Sequence, residues 1–311
     1  MQRRPFGATG LTVSAIGLGA WQLANPDWGV DSREDALRIV REALDDGCDF
    51  FDTAPGYGGG RSEELLGAAL KPVRQRVTIC TKFGHSPEGR TDFDVSAIRP
   101  SLEGSLRRLQ TDYIDILLLH NPPAALLDGR SAPHYEELER LKAEGKLRVY
   151  GASLDWSKDI EQLIATTASG AIEVLFNVFH QEPLAAFERA QQRGVGLIAK
   201  APLDSGWLSG KYRRDSSFSG VRDRWSPEVI ARRAELVEQV AALLPPGVAL
   251  PHAALQYLLA QTAISTVIAG TTSVEQVRAN MAAGDGALPA DTVRAIYELW
   301  QRELQHDPLP W

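Results

Sequence analysis

Four chemically capable residues stand where short apolar runs end: Asp52, Tyr57, Lys82 and His120. They offer a carboxylate, a phenol, an ammonium and an imidazole. Such a set suits acid–base work at a polarised carbon–oxygen bond, with one proton donor, one cation to tune it and one hydrogen-bond partner for developing charge. Each residue alone has an ordinary role. A strand-end Asp caps turns, a strand-end Lys is a solvated rim charge, and a single His satisfies a structural hydrogen bond. The catalytic reading gains weight because all four fall at one expected rim.

That rim follows from the element pattern. β-rich runs alternate with amphipathic helical stretches. Strands are predicted over 14–19, 48–52, 77–82, 113–119, 147–153, 172–178, 195–199 and 264–268. Helices are predicted from Ser32, from Ser62, around Ile98–Leu109, over 133–145, 157–166, 183–193, 227–244 and 251–261, and from near Ser273 and Pro289. Strand–helix alternation implies parallel pairing, and eight units predict an α/β fold, a closed (β/α)8 TIM barrel whose active site lies at the C-terminal strand ends. An open doubly wound sheet is the rival, but the first turn reads Gly17-Leu18-Gly19-Ala20-Trp21-Gln22, without the third glycine of a dinucleotide fingerprint. Arg4–Val13 reads as a short N-terminal β-hairpin plugging the barrel bottom. No linker interrupts residues 1–311, so one domain with C-terminal helices is expected. The Asp215–Arg224 segment reads as a long loop in the seventh unit.

Composition narrows the classes. The chain has 311 residues, 44% of them hydrophobic, and a net charge of −7. That excludes a disordered chain and argues against a nucleic-acid partner, which calls for a basic face. No run is long enough to span a membrane. Cys48 and Cys80 lack metal or disulfide spacing and read as buried small hydrophobes. Arg3-Arg4 hints at a twin-arginine signal, but the apolar stretch after it is short and broken by glycine, so the chain reads as cytoplasmic and unprocessed.

Phe51-Asp52-Thr53-Ala54-x-x-Tyr57-Gly58, Thr81-Lys82-Phe83-Gly84 and Asp115-x-Leu117-Leu118-Leu119-His120-x-Pro122 resemble the aldo-keto reductases, in their short-tailed bacterial form. Further matches are Gly17-x-Gly19-x-Trp21, Ser62-Glu63-x-x-Leu66-Gly67, Pro202-Leu203-x-Ser205-Gly206-x-Leu208-x-Gly210-Lys211 and Ile268-x-Gly270-Thr271-Thr272-Ser273-x-Glu275-Gln276-x-x-x-Asn280. The resemblance implies a metal-free, NAD(P)H-dependent reductase acting on a small-molecule carbonyl. NADPH is the family's usual cofactor, with NADH as the open alternative.

On this resemblance Tyr57 gives the proton. A free phenol, with a pKa of about 10, is a slow acid. Lys82 at about 4 Å would favour the phenolate by roughly 4 kcal/mol. That is about three pKa units, bringing Tyr57 near about 7. Asp52 orients Lys82 and keeps it charged, and His120 bonds the carbonyl oxygen. Trp21 walls the substrate pocket. Ser205 and the backbone over Leu203–Leu208 cradle the diphosphate, and Asn280 contacts adenine.

The sequence departs from the family in four places. Ser153-Leu154 stands for a Ser-Asn pair, and Glu173 for the glutamine that holds the carboxamide. A glutamate there still accepts from the amide and favours the positively charged oxidised ring, assisting hydride donation. Lys200 replaces a stacking aromatic, its stem covering the ring and its ammonium reaching phosphate. Thr271, Thr272 and Gln276 stand where a basic grip on a 2′-phosphate is common, with Arg278 nearby. The tail after Gln305 is short, leaving Trp28, Trp207, Phe218 and Trp225 to close the pocket. The alternatives are a sugar 1-dehydrogenase running the reaction towards oxidation, a cofactor-binding regulator without turnover, a Lys82 Schiff-base lyase, and a metallohydrolase. Asp52 argues against the lyase, since it raises the pKa of Lys82. The metallohydrolase lacks a His-x-His after the first strand.

Overall fold

The computed structural model describes every residue except Pro26, Asp27, Gly29, Asp31, Val221, Arg222 and Trp311. Val221 and Arg222 belong to the expected 215–224 loop and lie outside the described residues. Two strands, β1 (Arg3–Pro5) and β2 (Thr12–Ser14), pair antiparallel with Arg4 opposite Val13. Eight more close a parallel barrel in the order β10-β3-β4-β5-β6-β7-β8-β9. These are β3 (Ile16–Gly19), β4 (Phe50–Asp52), β5 (Thr78–Phe83), β6 (Ile114–His120), β7 (Leu147–Leu154), β8 (Ala171–Leu175), β9 (Gly196–Lys200) and β10 (Ile264–Gly270). The (β/α)8 barrel with its N-terminal hairpin is therefore present as expected. Some boundaries differ: the strand expected over 172–178 ends at Leu175, the one expected over 48–52 begins at Phe50, and the run expected as a single strand over 14–19 splits at Ala15. Ser14 is tied to Asp49, its amide donating to Oδ1 at 2.7 Å and its hydroxyl to the Ile16 carbonyl at 2.8 Å, so the chain turns there from hairpin to barrel.

Helices α1 (Arg33–Asp45), α2 (Arg61–Leu70), α3 (Ile98–Leu109), α4 (His134–Ala143), α5 (Ser157–Thr166) and α6 (Leu184–Gln192) follow the first six barrel strands. α7 (Pro227–Ala242) and α8 (Leu250–Leu259) follow β9, and α9 (Val274–Ala282) and α10 (Ala290–Glu303) follow β10. α1 shows the local logic. Ser32 caps it by accepting from the Asp35 amide, acidic Glu34 and Asp35 face its positive end, and Ala36, Ile39, Val40 and Ala43 bury one stripe.

Side chains alternate between two cores. The outward set packs under the helices. The inward set is Phe6, Val13, Phe50, Cys80, Ile116, Leu118, Val149, Ala171, Ile198 and Ile268. Phe6 comes from the hairpin, so the hairpin does plug the barrel. A Cβ at Gly196 would lie 2.4 Å from the Phe6 ring, which is why that strand begins with glycine. Both cysteines are buried and unpaired.

Candidate active site

The two-residue period that puts Phe50, Cys80, Leu118 and Ala171 in the barrel interior puts Asp52, Lys82, His120 and Glu173 one layer higher, at the C-terminal mouth. Register completes the layer: His120 lies opposite Ser153, and Ser153 opposite Glu173.

Lys82 is the centre. It has no exposure to water. Its Nζ donates to Asp52 Oδ1 and Oδ2 at 2.7 and 2.6 Å and to the Thr53 carbonyl at 3.1 Å. A second carboxylate, Glu173 Oε2, lies 3.1 Å away on the β8 side. Burial opposes the ammonium charge, but Asp52 and then Glu173 outweigh it and hold Lys82 well above its ordinary pKa. The carboxyl pair titrates together. Burial and the charge of Glu173 push Asp52 up to about 8. Burial works on Glu173 in the same sense, yet Lys82 and Lys200 hold it down to about 2.

Tyr57 sits on the turn after β4. Thr53 donates from its hydroxyl to Ser62, and Ser62 to the Ala20 carbonyl, tying this turn to the one after β3. The next residue, Glu63, is wholly buried and accepts from Thr81 and Arg108, both at 2.6 Å. Gly58 has φ +60° with the Ala24 carbonyl 2.5 Å from where a Cβ would be, so only glycine lets the phenol swing inward. The Lys82 Nζ lies 5.3 Å from the Tyr57 ring centroid. His120 meets that ring edge-on at 5.9 Å, and Trp21 flanks it at 6.4 Å. The expected drop of the phenol towards neutrality does not occur in the free protein. Burial raises its pKa above the ordinary value; Lys82 pulls it down, but Asp52 and Glu173 oppose Lys82. Counting Lys82 alone overlooked the burial of the phenol and both carboxylates. Burial and then Lys82 push His120 down to about 3, so its imidazole is neutral.

On the far side Ser153 donates to Glu173 Oε1 at 3.1 Å and accepts from Lys200 at 2.8 Å. The Lys200 ammonium also reaches Asn121 Oδ1 at 3.1 Å and Asp155 Oδ1 at 2.9 Å. All three partners belong to β7 or to the segments following β6 and β7. The ammonium is thus engaged by Asp155, Asn121 and Ser153, which departs from the expected reach to phosphate on the 202–211 segment, the one expected to cradle the diphosphate.

That segment follows β9. Pro202 and Leu208 are buried, Leu203, Ser205 and Gly206 are partly exposed, and Lys211 is exposed beside Tyr212. Ala201, Asp204, Ser205 and Gly206 all have positive φ. Left-handed backbone at non-glycine positions is strained and needs outside support. Asn177 donates to the Ala201 carbonyl at 3.1 Å, and buried Arg233 pairs with buried Asp204 while donating to the Pro310 carbonyl at 2.6 Å. Gly19 and Gly270 pair across the β3–β10 seam. At the start of α9, Gln276 Oε1 accepts from the Thr272 amide, Ser273 caps the helix, Thr271 Oγ1 donates to the Ser273 carbonyl, and Asn280 is buried. Arg278 is paired with Glu42 of α1.

The four tryptophans divide. Trp21 is 36% exposed, and Trp28 lies 5.1 Å from it, so this pair faces the mouth. Trp207 and Trp225 do not line an open pocket. Trp207 is fully enclosed, with its ring 5.4 Å from Tyr212, 5.6 Å from Phe218 and 5.9 Å from Trp225. That cluster is the core of the post-β9 loop. Sequence reasoning missed Asp155, Asn121 and Arg233, whose roles come from contacts across neighbouring elements, and His85. The His85 ring is 4.9 Å from His120, and its Nε2 lies 3.1 Å from the His120 carbonyl. Only the position of Asp155 two residues after Ser153 could have flagged it.

Ligand atoms of Asp52, Cys80 and Glu173 fall within 4.8 Å of one another, but Lys82 already contacts both carboxylates, so the chain supplies that cation itself. A nicotinamide dinucleotide fits the rest. Buried His120 Nδ1 has no hydrogen-bond partner at the mouth, and the left-handed 204–206 turn follows the strand next to Glu173. No helix among the described residues is long and apolar enough to cross a membrane.

The chain is similar to known proteins. The model of the Aldo/keto reductase family matches residues 15–301. An L-galactose dehydrogenase of Arabidopsis thaliana is 34% identical over 91% of this chain and 88% of its own length. An NADH-specific methylglyoxal reductase of Escherichia coli is 30% identical over 91% and 93%. The holo structure of an aldo-keto reductase from Bacillus halodurans superposes with a TM-score of 0.83 at 31% identity, covering 96% of each chain. The barrel, the order of the motifs along it and these likenesses place the chain in the aldo/keto reductase family of oxidoreductases.

Proposed function

We propose that the chain is a nicotinamide-dependent oxidoreductase interconverting a small-molecule carbonyl and its alcohol, with Tyr57 exchanging the proton. The observation that carries this is the placing of Lys82, fixed by Asp52 at 2.6 Å, beside the ring of Tyr57, with His120 edge-on to the same ring. A bound nicotinamide would supply or accept the hydride. Glu173 and Ser153 would hold its carboxamide, the 202–211 segment its diphosphate, and Thr271, Thr272, Gln276 and Asn280 its adenosine end. The substrate oxygen sits between the Tyr57 hydroxyl and neutral His120. Tyr57 stays protonated at neutral pH and gives its proton as negative charge grows on that oxygen. His120 stabilises the same charge by donating a hydrogen bond. Asp52 fixes the ammonium so that Lys82 stabilises the phenolate left behind. The reaction suits a soluble nucleotide pool, and the proposed location is the cytoplasm.

NADH is favoured over the family's usual NADPH. Glu42 already neutralises Arg278, no other basic residue stands among 271–280, and one relative is named NADH-specific. The test is a panel of aldehydes, ketones and sugars, followed by nicotinamide absorbance with both cofactors. Turnover in wild type and its loss in Tyr57→Phe are expected. Tyr57→Phe turning over at the wild-type rate would overturn the reading.

A further inference from the structure

The charges at the barrel mouth do not balance. Asp52, Glu173 and Asp155 are three carboxylates, and Lys82 and Lys200 are two ammoniums. Lys82 is chelated by Asp52, and Lys200 is drawn to Asp155 at 2.9 Å. Glu173 is left as the surplus, held by Ser153 Oγ at 3.1 Å and by the already occupied Lys82. The other titratable groups packed around it, Tyr57, Cys80 and His120, bring no positive charge. Burial pushes the Cys80 thiol up and the His120 imidazole down. A surplus carboxylate 2% exposed calls for a proton or a cation.

The two redox forms of a nicotinamide differ by that charge: the oxidised ring is positive and the reduced ring neutral. A ring exchanging hydride with a carbon whose oxygen is held by Tyr57 and His120 works in the field of Glu173. Lys82 spans the two, 3.1 Å from Glu173 and 5.3 Å from the Tyr57 centroid. We propose that Glu173 sets the redox preference of the site, making it bind the oxidised cofactor in preference to the reduced one and so making the bound reduced cofactor a stronger hydride donor. This rests on the nicotinamide reading above.

A proton competes for the same role. The coupled Asp52–Glu173 pair takes it up at the low end of the pH range, burial and the charge of Glu173 raising the affinity of Asp52 for it. Binding the oxidised ring expels that proton, so the preference strengthens as the pH rises and the pair ionises fully. Binding of the neutral reduced ring is not coupled to the proton in this way.

The test is equilibrium titration of tryptophan fluorescence with NAD⁺ and NADH, and with their phosphorylated forms, at about pH 6 and about pH 9. In wild type the affinity ratio of oxidised to reduced form is expected to rise about fivefold or more between the two. Glu173→Gln is expected to shift the ratio about tenfold towards the reduced form and to flatten its pH dependence. Glu173→Asp keeps the charge and is expected to keep the wild-type ratio. A Glu173→Gln ratio unchanged at high pH overturns the proposal. If that variant does not fold, a wild-type ratio that favours NADH and ignores pH overturns it equally. If wild type binds neither redox form, the cofactor reading fails first and takes this inference with it.

Discussion

The Lys82 ammonium chelates the Asp52 carboxylate, with both oxygens within 2.7 Å of Nζ and the lysine sealed from water. A buried ion pair is informative when one side is removed. Asp52→Asn leaves Lys82 with Glu173 as counter-ion, so a loss of about 3 kcal/mol is expected, the low end for a broken buried pair. Lys82→Met leaves two carboxylates facing each other without a cation, and the loss is larger. The pH dependence has a definite sign. Burial and mutual repulsion raise the folded-state pKa values in Lys82→Met above the unfolded values near about 4. The folded state then holds more protons than the unfolded one, so the variant loses stability as pH rises above that value. Urea midpoints from about pH 5 to about pH 9 should show the gap from wild type widening. Parallel profiles would contradict the electrostatic account.

Tyr57→Phe removes the hydroxyl proposed to donate the proton and little else. Turnover should fall by about 10²–10⁴, the range for a lost general acid, while dissociation constants for both cofactor forms stay within about twofold. A variant that loses cofactor affinity instead would recast Tyr57 as a binding residue.

His120, pushed down to about 3 by burial and then by Lys82, is neutral wherever the protein is folded under ordinary conditions. Its titration therefore gives the pH–rate profile no limb near about 6.5, where a solvated imidazole would give one. His120→Ala should lower kcat by about 10²–10³, as removal of an oxyanion donor does. That deficit should be the same at about pH 6 and about pH 8; a deficit that disappears at the lower pH would mean the imidazole acts as a cation.

The site was legible where one strand's own alternation sets it. Asp52, Lys82, His120 and Glu173 each end or punctuate an apolar run, and the two-residue period forces them to the same face as Phe50, Cys80, Leu118 and Ala171. Contacts between elements were not legible. Lys200 turns to Asp155 and Asn121 because two neighbouring segments present them, which no spacing along β9 records. Trp207 and Trp225 looked like pocket walls because aromatic residues in a loop carry no sign of the face they present; their cluster with Tyr212 and Phe218 encloses them. The phenol's acidity failed for a related reason. Lys82 was counted alone, without the burial of the phenol and without the opposing charges of Asp52 and of Glu173, 91 positions after Lys82.

Glu42 and Arg278 bridge α1 and α9 beside the expected adenosine end. While Glu42 holds the guanidinium, a 2′-phosphate gains little from it. Glu42→Gln frees Arg278 without touching the mouth of the barrel. Affinity for NADPH should then rise about threefold to tenfold relative to NADH, the scale of one solvent-screened phosphate contact. High salt should erase the gain. An unchanged ratio would place Arg278 outside the cofactor's reach and leave NADH preference to other residues.

Arg233 joins two features that look unrelated in sequence. It pairs with Asp204 inside the strained post-β9 turn, donates to the Pro310 carbonyl in the C-terminal segment, and lies 5.0 Å from the centroid of the Trp225 ring. Asp204 is 2% exposed and has positive φ, so its conformation depends on this partner. Arg233→Met leaves the carboxylate buried and unpaired, and a loss of about 3–5 kcal/mol is expected. Adding Asp204→Asn removes the orphaned charge, so the double variant should recover at least about 1 kcal/mol over Arg233→Met alone, a coupling that a double-mutant cycle in urea reads directly. Cofactor affinity supplies the second readout. If the pair holds the diphosphate turn in place, Arg233→Met weakens NAD⁺ and NADH binding by the same factor, because the diphosphate is common to both. Strictly additive stabilities with unaltered affinities would mean the turn keeps its shape without Arg233.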